Sequence, residues 1–385
     1  MSNSLITMKR LGSVLELQRG FDLPTSKRTD GEVPIISSSG YSGCHNNHKC
    51  EGENVITGRY GTIGEVYYHN GKCWPLNTAL FVKDFKGNTP RYIYYLLKNV
   101  LNIYKVSGND KSTVPGIDRK VIHEMMVPFH ENMCDQQNIC NILSCIDKKL
   151  DTNSQICFEL ETMAKTLYDY WFVQFDFPDE NGKPYRTSDG EMVWNEQLKR
   201  EIPKGWDVTT IGKITANFDS QRIPLSQNQR ESIKGTIPYY GATGVMDYIN
   251  DYIFDGQYVL IAEDGSVMDD LGHPIVQMIW DKTWVNNHAH VLRGINNYSN
   301  EILYFVLKDI PVVKIMTGSI QKKINQENLN NYCIPSIPKK TLSQFYSYTK
   351  GVFEQIHHLE LESKELTKLR DWLLPMLMNG QARVE

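Results

Sequence analysis

The stretch QQNICNILSCIDKKLDTNSQICFELETMAKTLYDYW at residues 136–171 decides the fold of this chain. Its seam residues lie alternately four and three positions apart, a heptad pattern with one polar interruption at Asn153. Proline and glycine do not occur in it, so the stretch predicts one long helix with a narrow apolar stripe. The stripe consists of Ile139, Leu143, Ile146, Leu150, Asn153, Cys157, Leu160, Ala164, Leu167 and Trp171.

A second copy of this pattern begins at residue 345, with the same phase and an offset of 206 residues. Only Gly351 and Pro375 interrupt it. A helix with so narrow a stripe cannot bury that stripe alone, and we predict that the two helices pack on each other as a coiled coil. The alternative is two independent helices, each packed on its own domain. The residues expected at the helix contact are Leu143, Ile146, Leu150, Leu160, Leu167, Val352, Ile356, Leu366 and Leu373.

The remainder of the chain also occurs twice, in the same order. VPII at residues 33–36 returns as IPYY at 237–240, and VIT at 55–57 returns as VLI at 259–261. WPLNTA at residues 74–79 returns as WVNNHA at 284–289. The offset changes only between 204 and 210, as loop insertions in a true repeat would produce. Short β-branched and aromatic runs between glycines indicate that both globular halves are rich in β-structure.

We therefore predict an α+β chain in which each globular half is followed by a long helix. An antiparallel helix pair would set the two halves apart about a pseudo-two-fold axis, whereas a parallel pair would place both at one end. The segment at 176–206, with its prolines, glycines and charges, is either a linker or an ordered polar crossover. The predicted parts are a first domain at 1–132, a first long helix at 133–175, the polar segment at 176–206, a second domain at 207–338, a second long helix at 339–379 and a tail at 380–385.

Composition and motifs argue against several classes of protein. The first residues lack the apolar core of a signal peptide, and no apolar run approaches the ~20 residues that span a bilayer. Eight cysteines without a CxxC pair favour free thiols in a reducing compartment, so we expect a cytoplasmic protein. Phosphate-loop and dinucleotide-binding motifs are absent. The histidines and cysteines of CHNNHKC at 44–50 lie too close together for a usual zinc site, so we expect neither a catalytic centre nor a metal.

Two polar loops on glycine frameworks recur in each half, and their side chains suit nucleic acid. Arg59 is a fork donor for guanine or phosphate, Asp264 is an acceptor for a cytosine amino group, and Gln321 could read adenine. His288 and His290 would share one face of a strand, and His288 either contacts a ligand or is structural. The alternative for each loop is a solvated turn. The predicted contact residues are Arg59, Tyr60, Thr62, Asn77, Lys111, Ser112 and Thr113 in the first half, and Asp264, Ser266, Asn287, His288, Ser319, Gln321, Lys322 and Lys323 in the second.

Taken together, the sequence resembles the DNA-specificity (S) subunits of Type I restriction–modification systems, over essentially the whole chain. The order unit–helix–unit–helix is the most specific part of this resemblance. The two halves differ where the first has RYG at 59–61 and the second has EDG at 263–265, as loops that read sequence are expected to differ. The motifs that carry the resemblance are GTIG at 61–64, LYDYWF at 167–172, IPKGW at 202–206, LRDWLLP at 369–375 and NG at 379–380.

This resemblance implies a non-catalytic subunit in which each half is a target-recognition domain for one half of a split site in double-stranded DNA. It implies that the helices form an antiparallel coiled coil that docks two modification (methyltransferase) subunits, with a restriction motor subunit as an optional further partner. S-adenosylmethionine, ATP and Mg would then belong to the partner subunits, and the chain itself would bind no cofactor. The alternatives are a specificity component of another restriction–modification class, an enzyme that uses the polar loops, and a coiled-coil adaptor that binds only proteins.

Overall fold

The computed structural model describes residues 6–60, 64–106, 116–318 and 322–383. The chain divides into two compact units, the first formed by Met1–Asn153 with Glu362–Glu385 and the second by Ser154–Leu361. The boundary between the units therefore falls inside both long helices. Within the described ranges, no helix is both long enough and apolar enough to cross a membrane.

The first unit is built from short strands in three sheets. These strands are β1 (Ile6–Arg10), β2 (Glu16–Arg19), β3 (Val33–Ser37), β4 (Gly40–His45), β5 (Glu53–Gly58), β6 (Val66–Asn70), β7 (Trp74–Pro75), β8 (Ala79–Asp84) and β9 (Met126–His130). A four-stranded sheet has the order β2-β8-β5-β6, a three-stranded sheet has the order β4-β3-β7, and β1 pairs with β9. The helices that begin in this unit are α1 (Leu11–Val14), α2 (Pro90–Val106), α3 (Arg119–Glu124) and α4 (Met133–Tyr168).

The second unit repeats this plan and adds to it. The strands are β10 (Met192–Asn195), β11 (Arg200–Pro203), β12 (Asp207–Thr210), β13 (Thr215–Asn217), β14 (Lys234–Tyr240), β15 (Val245–Ile249), β16 (Phe254–Asp255), β17 (Tyr258–Ala262), β18 (Val276–Ile279), β19 (Lys282–Val285), β20 (Ala289–Gly294), β21 (Met316–Thr317), β22 (Lys323–Ile324) and β23 (Cys333–Ser336). Their sheets have the orders β13-β20-β17-β18, β15-β14-β19-β16, β12-β23, β10-β11 and β21-β22. The helices are α5 (Ile211–Ile214), α6 (Gln227–Ser232), α7 (Asn300–Lys308), α8 (Gln326–Asn331) and α9 (Lys339–Met378).

The internal repeat is visible in strand order and register. The sheet β2-β8-β5-β6 corresponds to β13-β20-β17-β18, and the parallel pair β3–β7 corresponds to β14–β19. Ile35 lies opposite Trp74 in the first unit, and Tyr239 lies opposite Trp284 in the second. These are positions that the sequence repeat aligns with each other. The mixed helix and strand content agrees with the predicted α+β class.

In each unit a hydrophobic core lies beneath one four-stranded sheet, β2-β8-β5-β6 in the first unit and β13-β20-β17-β18 in the second. In the first unit the core includes the buried face of α2, with Tyr92, Tyr95 and Leu97, and residues near the C-terminal end of α9. In the second unit α7 has the same place, and Phe305 is fully buried. Aromatic and branched side chains on a short helix thus cover one face of a sheet, which is the usual way such a sheet buries its apolar surface.

The polar segment at 176–206 is ordered and belongs to the core of the second unit. The Phe177 ring stacks on Trp206 at 5.1 Å and on Tyr185 at 4.9 Å between ring centroids. The Asp176 carboxylate accepts hydrogen bonds from the backbone and hydroxyl of Thr187, at 2.7 and 2.6 Å. Strands β10 and β11 form a hairpin within the segment. Of the two alternatives for this segment, the structure has the ordered crossover.

The long helices contact each other within both units. In the first unit Asn153 of α4 lies against Ser363 of α9, and Asp147 lies against Arg370. In the second unit the rings of Trp171, in the π-helical turn Asp169–Val173 after α4, and Phe345 of α9 are 5.6 Å apart. In the first unit, the residue that lies later on α4, Asn153, contacts the residue that lies earlier on α9, Ser363. The two contacting helix segments therefore run antiparallel. All nine predicted contact residues are buried or half-buried.

Candidate nucleic-acid interface

Three loops of the first unit meet at the end of β5. The Arg59 backbone N–H donates to the Thr78 carbonyl at 2.9 Å, and the Arg59 carbonyl accepts from the Ile117 N–H at 2.9 Å. Tyr60 pairs with Gly116 as an isolated β-bridge. We name residues 59–60, 77–78 and 116–117 the first strand-end junction. It places the described ends of both predicted polar loops beside each other.

The second unit has the same backbone arrangement at the end of β17. The Glu263 N–H donates to the His288 carbonyl at 2.8 Å, and the Glu263 carbonyl accepts from the Ile324 N–H at 2.8 Å. Asp264 bridges to Lys323 as Tyr60 does to Gly116. We name residues 263–264, 287–288 and 323–324 the second strand-end junction. The two junctions share a hydrogen-bonding frame but present side chains of different charge.

The predicted contact residues are distributed unevenly around these junctions. The Asn77 amide hydrogen-bonds the Asp22 carboxylate, and the His288 Nδ1 lies 2.6 Å from an Asp264 carboxylate oxygen. Ser266 and Asn287 are exposed, and Lys322 Nζ is 3.9 Å from the Met268 sulfur. The remaining predicted contacts fall outside the described residues; these are Thr62, Lys111, Ser112, Thr113, Ser319 and Gln321.

Beneath the second junction lies a buried network of charged side chains, which the sequence did not predict. Arg222 Nη1 donates to Glu263 at 2.6 Å, and Lys323 Nζ is 2.9 Å from the same carboxylate group. The His290 Nδ1 lies 2.6 Å from Asp219. The side chains of His290, Asp219, Arg222 and Glu263 are only 2, 9, 12 and 12% exposed. The network ties the end of β17 to β20 and to the turn after β13.

The pKa values of this network follow from its pairing. Burial disfavours the His290 imidazolium, but the Asp219 carboxylate outweighs burial and raises the pKa of His290 above its usual value. Burial also opposes ionisation of Glu263, yet hydrogen bonds from Lys323 and Arg222 lower the pKa of that carboxyl group. The Glu263 carboxylate is therefore ionised at neutral pH, and the two cations that hold it compensate its charge.

Asp219, Glu263 and His290 also have the spacing of metal ligands, with their ligating atoms within 4.8 Å of one another. The chemistry does not fit a metal, because Arg222 and Lys323 already hold the Glu263 oxygens as cationic donors. His290 and His288, which we expected on one face of a strand, have different environments. Strand β20 begins at Ala289, so His288 lies in the exposed turn before it and His290 in the core.

Similarity to known proteins agrees with this paired arrangement. The family model for the Type I restriction modification DNA specificity domain matches residues 3–162 and again residues 203–352. The chain belongs to this family. It is the DNA-specificity subunit of a Type I restriction–modification system, and the two matched regions are the two copies of the internal repeat.

Individual relatives carry the same description. The Type I restriction enzyme MjaIX specificity subunit of Methanocaldococcus jannaschii is 27% identical over 320 residues, covering 78% of this chain and 70% of that protein. A putative Type I specificity subunit of Haemophilus influenzae is 35% identical over 149 residues, covering 38% of each chain. The crystal structure of the S subunit from M. genitalium superposes with a TM-score of 0.57 at 18% identity, covering 98% of this chain and 97% of that one. That likeness supports the fold.

Proposed function

We propose that each unit of this specificity subunit reads one half of a split site in double-stranded DNA through its strand-end junction. The observation that carries the proposal is the shared backbone frame with different side chains. A backbone frame that both units share, but that carries different polar side chains in each unit, is suited to the recognition of two different base sequences. At the first junction Arg59 is a bidentate donor, whereas at the second Asp264 is an acceptor beside His288.

The other contact residues that we predicted from the sequence are consistent with this proposal. Tyr60, Asn287 and His288 are exposed members of the junctions, and Ser266 is exposed two residues after Asp264. Base edges would be read by these polar groups, and lysines such as Lys322 would contact phosphates. Lys323 is a weaker candidate for phosphate because its ammonium group is already paired with Glu263.

We also propose that the chain has no catalytic activity and binds no cofactor itself. The support is the absence of cofactor motifs from the sequence and the description of its relatives as specificity subunits. S-adenosylmethionine, ATP and Mg would be bound by the partner subunits. The purified chain should transfer no methyl group from S-adenosylmethionine to DNA, and adding the modification subunit should restore transfer. Methylation by the chain alone would refute this.

The two long helices are proposed to act as an antiparallel coiled coil that holds two modification subunits. Several large apolar side chains on α4 and α9 are exposed, and docked partner subunits would cover them. Phe158 is 66% exposed, Met163 56% and Trp372 59%. A restriction motor subunit would join this assembly as an additional partner. The eight free thiols support assembly in the reducing cytoplasm.

A helix insertion tests the spacer role. Four residues added before Leu160 should change the preferred distance between half-sites while each half-site keeps its bases, because the insertion lengthens and rotates one helix. The measurement is methylation by the assembled complex over a library of spacer lengths. An active complex with an unchanged preferred spacer would refute the role of the helices as the ruler.

DNA binding itself separates this proposal from that of an adaptor that binds only proteins. The assembled complex should shift DNA carrying the split site, and its affinity should fall as salt rises. A DNA affinity that depends on neither the DNA sequence nor the salt concentration would favour the protein-only adaptor.

A further inference from the structure

A basic cleft of about 610 Å³ adjoins the first strand-end junction. Its cations come from three separate segments of the first unit. Arg19 ends β2, Arg59 follows β5, and Arg119 and Lys120 open α3. Leu80 and Ile117 form its apolar floor. Apart from Arg59, none of these residues stands out in the sequence.

The position of each cation follows from the local structure. Arg19 and Thr57 both pair with Leu80 on β8, so β2 and β5 end at the same edge of the sheet. The Arg59 guanidinium lies over the Tyr60 ring, 4.5 Å from its centroid. Arg119 Nη1 donates to the carbonyl of Leu17 at 3.3 Å. The sheet edge and the start of α3 thus bring four cationic residues to the lining of one cleft.

Few carboxylates compensate these charges. Arg19 is 3.2 Å from Asp22, and both side chains are largely exposed. Asp118 accepts from the Lys120 backbone N–H and caps α3. Arg59, Arg119 and Lys120 have no carboxylate within 4 Å among the parts of the chain that the structure describes. Cations gathered without partners repel one another, and an anion that enters the cleft relieves this repulsion.

The second unit provides an internal comparison. By strand register, Asp219 corresponds to Arg19, His290 to Leu80, and Glu263 to Arg59. There the equivalent space is filled by the network in which Arg222 and Lys323 neutralise the two carboxylates. The same frame is therefore basic and open in one unit but internally compensated in the other.

We propose that the cleft of the first unit binds backbone phosphates of DNA, and that the second unit has no counterpart to this anchor. This inference rests on the proposed reading of one half-site by each unit, and it adds that the two units contribute unequally to affinity. For Arg19, Arg119 and Lys120, phosphate is favoured over a base edge because these cations come from separate segments and surround a space, whereas Arg59 lies at the junction itself and keeps the base contact proposed above. A base edge would instead require one planar fork in register with its acceptors.

The test is the salt dependence of DNA binding by the complex assembled with its modification subunits. The double variant Arg119→Ala/Lys120→Ala changes two exposed side chains and removes two cations. Each lost phosphate contact reduces the slope of log affinity against log salt by about 0.9. The loss of affinity between 50 and 200 mM salt should then shrink by about tenfold, equally for cognate and unrelated DNA. The matched control Lys199→Ala/Lys204→Ala also removes two cations, from the β10–β11 hairpin, and should leave the slope unchanged.

A change on the DNA side completes the experiment. Replacing phosphates in the half-site of the first unit with neutral methylphosphonates should lower the salt slope for the natural chain. The same replacement should lower the slope of the double variant little further, because that variant has already lost the phosphate contacts. An unchanged slope in the double variant, an equal fall in the control, or a loss confined to cognate DNA would overturn the proposal. If the natural complex bound all sequences equally, the proposed half-site reading would fail instead. The two failures are therefore distinguishable.

Discussion

Replacing the buried Asn153 in the helix contact should stabilise the first unit. The Asn153 side chain is 0% exposed, and its Nδ2 donates to Glu362 at 2.8 Å and to Ser363 at 3.2 Å. Its Oδ1 is buried without a hydrogen-bond partner in the described part of the chain. An unpaired buried acceptor costs about 1–3 kcal/mol. A polar residue at such a seam position is expected to fix register at the expense of stability.

Asn153→Leu removes that acceptor and fills the seam with an apolar side chain. Burying leucine contributes about 1.5–3 kcal/mol. The two lost hydrogen bonds cost about 1–3 kcal/mol together. Glu362 keeps its ion pair with Lys149 at 3.1 Å, so its carboxylate is not left unpaired. We expect a net gain of about 1–2 kcal/mol.

Thermal and urea unfolding of the full chain measure the effect. In a domain of 150–250 residues, 1 kcal/mol moves the midpoint by about 2–4 °C, and a rise of that order is expected for Asn153→Leu. Asn153→Asp keeps the shape but places a carboxylate against Glu362, so it should lower the midpoint at neutral pH. A lower midpoint for Asn153→Leu would refute the reasoning, because it would mean that the two hydrogen bonds outweigh the unpaired oxygen.

Three further predictions concern the second unit and use the same unfolding measurement. Phe345→Ala should cost about 3–5 kcal/mol because the ring is fully buried among aromatic side chains, whereas Tyr348→Ala, at a 63% exposed residue, should cost less than about 1 kcal/mol; equal losses would contradict the packing. Glu161→Ala should cost about 1–3 kcal/mol because one carboxylate oxygen accepts from the Tyr304 hydroxyl at 2.6 Å, and Tyr304→Phe in that background should restore part of the loss. His290→Gln should lower the midpoint more at pH 6 than at pH 9, since the raised pKa of His290 gives stability that is present below its unfolded pKa and lost as the pH rises through its folded pKa; a difference independent of pH would contradict the pairing with Asp219.

The features that sequence predicted well are those with a period. A strict heptad spacing leaves few alternatives to a long helix, and the structure has α4 at Met133–Tyr168 and, despite Gly351 and Pro375, α9 at Lys339–Met378. The repeat likewise aligned Trp74 with Trp284, which have equivalent partners in the two units. At these positions the local sequence pattern and the tertiary structure agree, because the apolar face that gives the pattern its period is also the face that packs in the folded chain.

The features that sequence did not predict depend on contacts between distant segments. Proline and glycine at 176–206 are typical of a linker, but Phe177 and Trp206 anchor the segment by stacking across 29 residues. The network beneath the second junction joins Asp219, Glu263 and His290 from three strands or turns, and no periodic signal links them. The basic cleft arises in the same way, since β2, β5 and α3 meet only in the folded unit.

Exchange of one half of the chain tests the reading of a split site most directly. Residues 1–132 are replaced by the equivalent half of another Type I specificity subunit, and the chimaera is assembled with its modification subunits. Sequencing of the methylated positions in DNA treated with this complex then gives the recognised site. We predict that one half-site changes to that of the donor protein while the other keeps its bases. A change in both half-sites, or in neither, would contradict the assignment of one half-site to each unit.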